Sequence, residues 1–195
     1  MQEPPERSIK FIDPSKQFYS KKLNIADKRK ALDFWRWAYS DLIQNITRGI
    51  VAEFIVAWAI GADNKPRQPW DSFDLITRED KQIEVKATAY LQAWTYTKKV
   101  IPKFVISPKR TWSESQGLAK TASFNADIYV LCYFNEKNRS SADPMNLDQW
   151  DFWVLSKSEL MTLLAGKQSI SVKKLEDKCI NSCNFNELKA AISNK

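Results

Sequence analysis

The stretch Ser72-Phe73-Asp74-Leu75-Ile76-Thr77-Arg78-Glu79-Asp80-Lys81-Gln82-Ile83-Glu84-Val85-Lys86-Ala87 decides the fold. Phe73 and Leu75 alternate with Asp74, and Ile83, Val85 and Ala87 alternate with Gln82, Glu84 and Lys86. That period of two predicts two short strands joined by a polar turn. Successive side chains on a strand point to opposite faces, so Glu84 and Lys86 share one face, and Asp74 joins them if the strands pair in register. Two carboxylates about 4 Å apart repel by roughly 4 kcal/mol at an effective dielectric near 20, and such a pair needs a proton or a cation. A hard divalent ion meets that need, and Mg²⁺ is the usual one where the substrate carries phosphate. Hydrolysis at phosphorus is the chemistry this implies.

These residues resemble the PD-(D/E)xK, or restriction-endonuclease-like, nuclease superfamily, whose pattern is an acid on one strand and then acid-x-lysine on the next. Here the match is Asp74 followed by Glu84-Val85-Lys86. Phe73 stands where the family often has proline, which leaves Asp71 as a rival first acid; Asp74 is preferred because it lies inside the apolar alternation. The resemblance implies a mixed central sheet flanked by helices, an α/β fold of restriction-endonuclease-like type. It also implies a metal, Mg²⁺ or alternatively Mn²⁺, held by Asp74, Glu84 and the Val85 carbonyl, with Lys86 orienting and helping to deprotonate the attacking water. An acid from a preceding helix often joins such sites, which points to Glu53 as a catalytic or metal-binding residue holding a second ion or its water. Thr88 and Gln92, just past the lysine, are the implied contacts to substrate.

Glu-x-Lys alone carries little weight, because Glu79-Asp80-Lys81, Glu176-Asp177-Lys178 and Glu187-Leu188-Lys189 also fit it. Only Glu84-Val85-Lys86 combines its own apolar alternation with an acid-bearing strand and a Glu-bearing helix upstream. The competing reading of the same residues is an ordinary half-exposed hairpin with a solvated acid and lysine.

Composition narrows the chemistry. The 195 residues include no histidine, which excludes Ser-His-Asp and Cys-His catalysis and any His-ligated metal nuclease, so carboxylates and lysine must carry a hydrolase. Thirty Lys and Arg against 23 Asp and Glu give a net charge of +7, which favours an anionic partner, DNA above a membrane. There is no apolar run of about 18 residues and no signal-peptide pattern, so a cytoplasmic protein is expected. The three cysteines, Cys132, Cys179 and Cys183, are an odd number and read as packing residues rather than a disulfide framework. The eight tryptophans read as core and rim packing.

Residues 1–26 read as a basic N-terminal arm or, more plainly, a loosely packed extension, and 27–195 as a single nuclease-like domain. Asp27 to about Asn45 has helical spacing in Ala31, Leu32, Phe34, Trp35, Ala38, Tyr39, Leu42 and Ile43, with Asp27 as N-cap. A second helix, Thr47 to Ile60, ends at Gly61 and presents Glu53 beside Gly49, Ile50, Ala57 and Ile60. A carboxylate on that face needs a partner: a metal, its water or Lys86, or alternatively Arg48 or Arg36. Tyr90, Trp94 and Tyr96 with Lys98 and Lys99 fit either a nucleic-acid strand or the core.

Farther on, Lys103 to Ser107 reads as a strand, followed by the basic loop Pro108-Lys109-Arg110-Thr111-Trp112, whose Lys109 and Arg110 are candidates for binding DNA. Ala126 to Phe134 is an apolar run suited to a buried strand, Asn135 to Gln149 a long surface loop, and Trp150 to Leu155 a further strand. Ser156 and Glu159 form a capping box for a helix stopped by Gly166; Ser169 to Val172 leans β; Asn184 caps a closing helix. The expectation is a metal-dependent DNA nuclease, with a homodimer as one arrangement open to it. A catalytically inactive nucleic-acid-binding module of the same fold and an interaction subunit with an aromatic surface are the alternatives.

Overall fold

The computed structural model describes residues 9–23, 28–68, 73–93, 100–110, 112–113, 117–118 and 120–195. In chain order the elements are α1 (Ala31–Tyr39), α2 (Asn45–Ile60), β1 (Leu75–Ile76), β2 (Gln82–Ala89), β3 (Lys103–Val105), β4 (Trp112–Ser113), β5 (Gly117–Leu118), β6 (Ile128–Phe134), β7 (Trp150–Ser156), α3 (Lys157–Leu164), β8 (Ser169–Ser171), α4 (Val172–Asp177) and α5 (Phe185–Ser193). This is a mixed α/β architecture with a mixed sheet flanked by helices.

The sheet has the order β1-β2-β6-β7. β1 runs antiparallel to β2, β2 parallel to β6, and β6 antiparallel to β7. β6 sits at the centre and is covered on both sides, which is why its sequence reads as an unbroken apolar run. Ile128, Val130, Cys132 and Phe134 face one core with Ile83, Val85 and Ala89 of β2, under α2 and α5. Tyr129, Leu131 and Tyr133 face the other, with Phe104 and Ile106 on one side and residues of α3, β8 and α4 on the other. Each large aliphatic side chain fully buried in this way contributes roughly 1.5–3 kcal/mol.

The local signals at element ends act as the residues dictate. Gly61 takes a left-handed conformation (φ 71°), and its N–H donates to the Ala57 and Trp58 carbonyls at the end of α2. The Ser156 hydroxyl accepts from the Glu159 N–H at 3.3 Å while the Ser156 N–H donates back to Glu159 Oε2 at 2.7 Å. Asn184 caps α5 in the same reciprocal way.

The first helix departs from expectation. Asp27 lies outside the described residues, α1 begins only at Ala31, and it ends at Tyr39. Asp41 Oδ1 accepts from the N–H groups of Ile43 and Gln44, each at 3.2 Å, and this local turn competes with further helix. A new helix then starts at Asn45, with the Gln44 side chain accepting from Thr47 N–H. The aromatic spacing of α1 is real but buries none of its residues, and Trp37 is 86 % exposed. Trp150 and Trp153 do belong to the core. Among the described residues no helix is long and apolar enough to cross a membrane.

Candidate active site

The site lies where the edge of the sheet opens. Leu75 pairs with Ile83 and Ile76 with Gln82, a register that sets Asp74 opposite Glu84 on the same face. β1 is only two residues long because the chain leaves the ladder at Asp74. The Asp74 N–H still donates to the Ile83 carbonyl at 2.9 Å, and its side chain then replaces the missing strand: Asp74 Oδ2 accepts from the Val85 N–H at 2.7 Å. The turn behind it is set by Thr77, whose hydroxyl accepts from the N–H groups of Glu79 and Lys81, both at 3.2 Å.

Glu84 is only 4 % exposed, although its strand neighbours Ile83 and Val85 point into the opposite core. One of its oxygens, Oε1, accepts from two ammonium groups, that of Lys86 and that of Lys109, the latter at 2.5 Å. Lys86 comes from the same face of β2. Lys109 arrives from the loop after β3, which is clipped to Ser123 by two backbone hydrogen bonds of 2.9 Å. The cleft in front of Glu84 and Lys86 is lined by Ile106, Ser107, Lys109, Ser123, Phe124, Asn125 and Tyr129.

The charges are unevenly distributed. Burial, and then the neighbouring Glu84 carboxylate, push the Asp74 carboxyl up to about 6, against the pull of the Val85 hydrogen bond. Glu53 on α2 adds to that rise, so it lies within electrostatic reach of Asp74. Its own partner is neither of the arginines considered from the sequence. Arg67, on the connection between α2 and β1, grips both Glu53 oxygens, with Nη2 to Oε1 at 2.9 Å. Arg48 is instead buried against the Ile43 carbonyl at 2.7 Å and Asn45 Oδ1 at 2.9 Å, where desolvation pulls its guanidinium down to about 10.

Asp74, Glu84, Lys86 and Lys109 are therefore brought together, with Glu53 beside them. Asp71, Trp94, Tyr96, Lys98 and Lys99 lie outside the described residues. Thr88 is buried on the same face of β2 as Glu84 and Lys86, but four residues along from Glu84. The segment beyond Lys86 remains strand to Ala89 rather than beginning a helix, and the Gln92 amide turns back to the Ala89 carbonyl at 3.0 Å. Arg110 is exposed on the Lys109 loop, and among the described residues no contact joins it or Gln92 to the carboxylates. Sequence reading missed Arg67 and Asn125, whose positions carry no periodic signal.

Comparison with known proteins adds an independent finding. Residues 15–169 match the family described as bacteriophage T4 endonuclease IV, a span that includes Glu53, Asp74, Glu84, Lys86 and Lys109. The chain belongs to the bacteriophage T4 endonuclease IV family. No curated protein matches the chain. The family match makes this a nuclease-family protein, and its span stops at the start of β8, leaving α4 and α5 outside.

Proposed function

We propose that the chain is a Mg²⁺-dependent endonuclease that hydrolyses phosphodiester bonds of DNA, on a sheet of the restriction-endonuclease-like, PD-(D/E)xK type. The observation that carries this reading is the meeting of Asp74 and Glu84 from antiparallel segments on one face, with Lys86 beside them and the Asp74 carboxyl raised by burial and then by its acidic neighbour. Membership of an endonuclease family supports the reaction class, and the +7 charge supports an anionic polymer as substrate.

The donors fit a hard ion. Asp74 and Glu84 offer carboxylate oxygens, and the Val85 carbonyl leaves the strand on the same side as the N–H that Asp74 holds, so it faces the same edge. Among the described residues no group of three Asp, Glu or Cys side chains is arranged to cage a metal. Mg²⁺ is commonly held by one or two carboxylates and otherwise by water and substrate phosphate, and Asp74 and Glu84 would be those two. The Val85 hydrogen bond and Lys109 only partly offset the cost of the Asp74 charge, and a cation would offset the rest. Once bound, Mg²⁺ would polarise the phosphoryl oxygen and acidify a water.

The chain's own groups do the rest. Lys86 Nζ, fixed by Glu84, would orient the attacking water and offset the charge that develops on the pentacovalent phosphorus. Lys109 would hold the backbone of the DNA at the cleft mouth. Glu53, clamped by Arg67, would add a carboxylate behind Asp74, serving a second ion or its water. Thr88 lies farther along the same strand face, nearer the incoming strand.

Incubation of DNA with Mg²⁺, with EDTA, and with Asp74→Ala, Glu84→Ala and Lys86→Ala tests this. Cleavage should require Mg²⁺ and fall by at least about a hundredfold in each variant, as for loss of a group that stabilises transition-state charge. Undiminished cleavage by the three variants would remove the site. Salt-sensitive DNA binding without turnover by the wild type would identify an inactive binding module.

A further inference from the structure

Glu84 Oε1 is claimed twice, by Lys86 and by Lys109, while Asp74, a strand away, makes no ion pair among the described residues, feels Lys109 and Arg67 only at longer range, and accepts from the Val85 N–H. The site is thus over-neutralised at one carboxylate and under-neutralised at the other. The two lysines are held very differently. Lys86 is rooted in the central part of β2 and its side chain is 24 % exposed; Lys109 is on a loop and 45 % exposed. A dication shared by Asp74 and Glu84 would face two ammonium groups on the same oxygen, and like charges at that range are not tolerated without cost. Lys109 is the one free to leave.

A second feature shows where it would go. Asn125 lines the same cleft as Lys109, two residues past the Ser123 to which the Lys109 backbone is bonded, and its Oδ1 accepts from the Ser123 hydroxyl at 2.5 Å. Its Nδ2 is buried and has no hydrogen-bond partner among the described residues. A buried amide donor without an acceptor is costly, and on a residue that lines a cleft it is suited to an oxygen supplied by a ligand. An ammonium and an amide on residues that line one cleft are suited to the non-bridging oxygens of a phosphodiester.

We infer that Lys109 is a displaceable counter-ion of Glu84, which metal entry releases to bind, together with Asn125, the phosphate of the strand being cut. The inference rests on the metal-dependent reading above. It makes the basic loop a coupling device as well as a DNA contact: the lysine is unavailable to substrate until the site is loaded.

Calorimetric titration of Mg²⁺ alone into the full chain tests it, using the wild type, Lys109→Gln, Lys109→Arg and Arg110→Gln. Lys109→Gln should bind Mg²⁺ roughly five- to tenfold more tightly, because the ion no longer has to displace an ammonium from Glu84. Lys109→Arg, which keeps the charge, and Arg110→Gln, which removes one from the next residue, should stay within about twofold of wild type. In DNA cleavage at saturating Mg²⁺, Lys109→Gln and Asn125→Ala should each raise KM by about tenfold while leaving most of kcat, the pattern of lost substrate binding. Mg²⁺ binding by the wild type with no tightening in Lys109→Gln overturns this inference alone. Tightening equal to that of Arg110→Gln overturns it too. No Mg²⁺ binding by any of the proteins removes the metal-dependent reading and this inference with it.

Discussion

Replacing Asp74 by Asn should make the protein more stable and, on the metal-dependent reading, inactive, with the gain in stability dependent on pH. The Asp74 carboxyl stands at about 6 in the folded chain against 3.8 for the unperturbed group. A rise of about two units, at 1.36 kcal/mol per unit, is a penalty of about 3 kcal/mol for keeping that carboxylate ionised in the fold. The folded state binds the proton more tightly than the unfolded chain, so the contribution is intact below pH 3.8. It is lost as pH rises toward about 6 and stays lost above that. Asn has no such titration, and its Oδ1 can still accept from the Val85 N–H that Asp74 holds at 2.7 Å. Denaturant unfolding in EDTA should therefore find Asp74→Asn more stable than wild type by about 3 kcal/mol at pH 7.5, shrinking to a few tenths at pH 3. Saturating Mg²⁺ should narrow the gap at pH 7.5, since a ligand held at about a hundredfold its Kd stabilises the protein that binds it by roughly 2.7 kcal/mol. A variant no more stable than wild type at pH 7.5, or one more stable by the same amount at every pH, would refute the reasoning that the carboxylate is stored there at a cost.

Three further outcomes follow from the same geometry. Mg²⁺ must compete with the Asp74 proton, so apparent Mg²⁺ affinity, read by calorimetry, should be level above about pH 7 and fall about tenfold per unit below about 6. Arg67→Ala removes the clamp on Glu53, whose side chain is 15 % exposed; because Arg67 is itself 43 % exposed, the loss in denaturant unfolding should be about 1 kcal/mol, and a double-mutant cycle with Glu53→Gln should recover most of it. Ala165 ends α3 in a left-handed conformation (φ 48°), so Ala165→Gly should add about 1 kcal/mol and raise Tm by roughly 2–4 °C in a thermal melt.

Much of this site is visible in sixteen residues of sequence, for a physical reason: strand alternation and a short turn are local, and they alone fix which side chains share a face. The Asp74–Glu84 juxtaposition, the buried run of β6, the Gly61 stop and the caps at Ser156 and Asn184 are all of that kind. What escaped the sequence is long-range or marginal. The pairings of Lys109 with Glu84 and Arg67 with Glu53 join segments whose closeness depends on the packed fold. α4, six residues long, offers too little periodicity beside the β-leaning Ser169 to Val172. α1 shows that helical spacing of apolar residues specifies a helix but not a core, since nothing on it is buried. The strand runs on past Lys86 to Ala89 because Thr88 and Ala89 continue the parallel pairing with Tyr133 and Phe134 of β6, a partner distant in sequence.

The central claim concerns two carboxylates and one ion, and a crystal of the full chain soaked in Mn²⁺ measures it directly. An anomalous peak should appear within about 2.0–2.4 Å of both a carboxylate oxygen of Asp74 and one of Glu84, with the Lys109 ammonium withdrawn from Glu84. A Mn²⁺-soaked crystal with no peak between these residues, and with Glu84 still held by both lysines, would contradict the account.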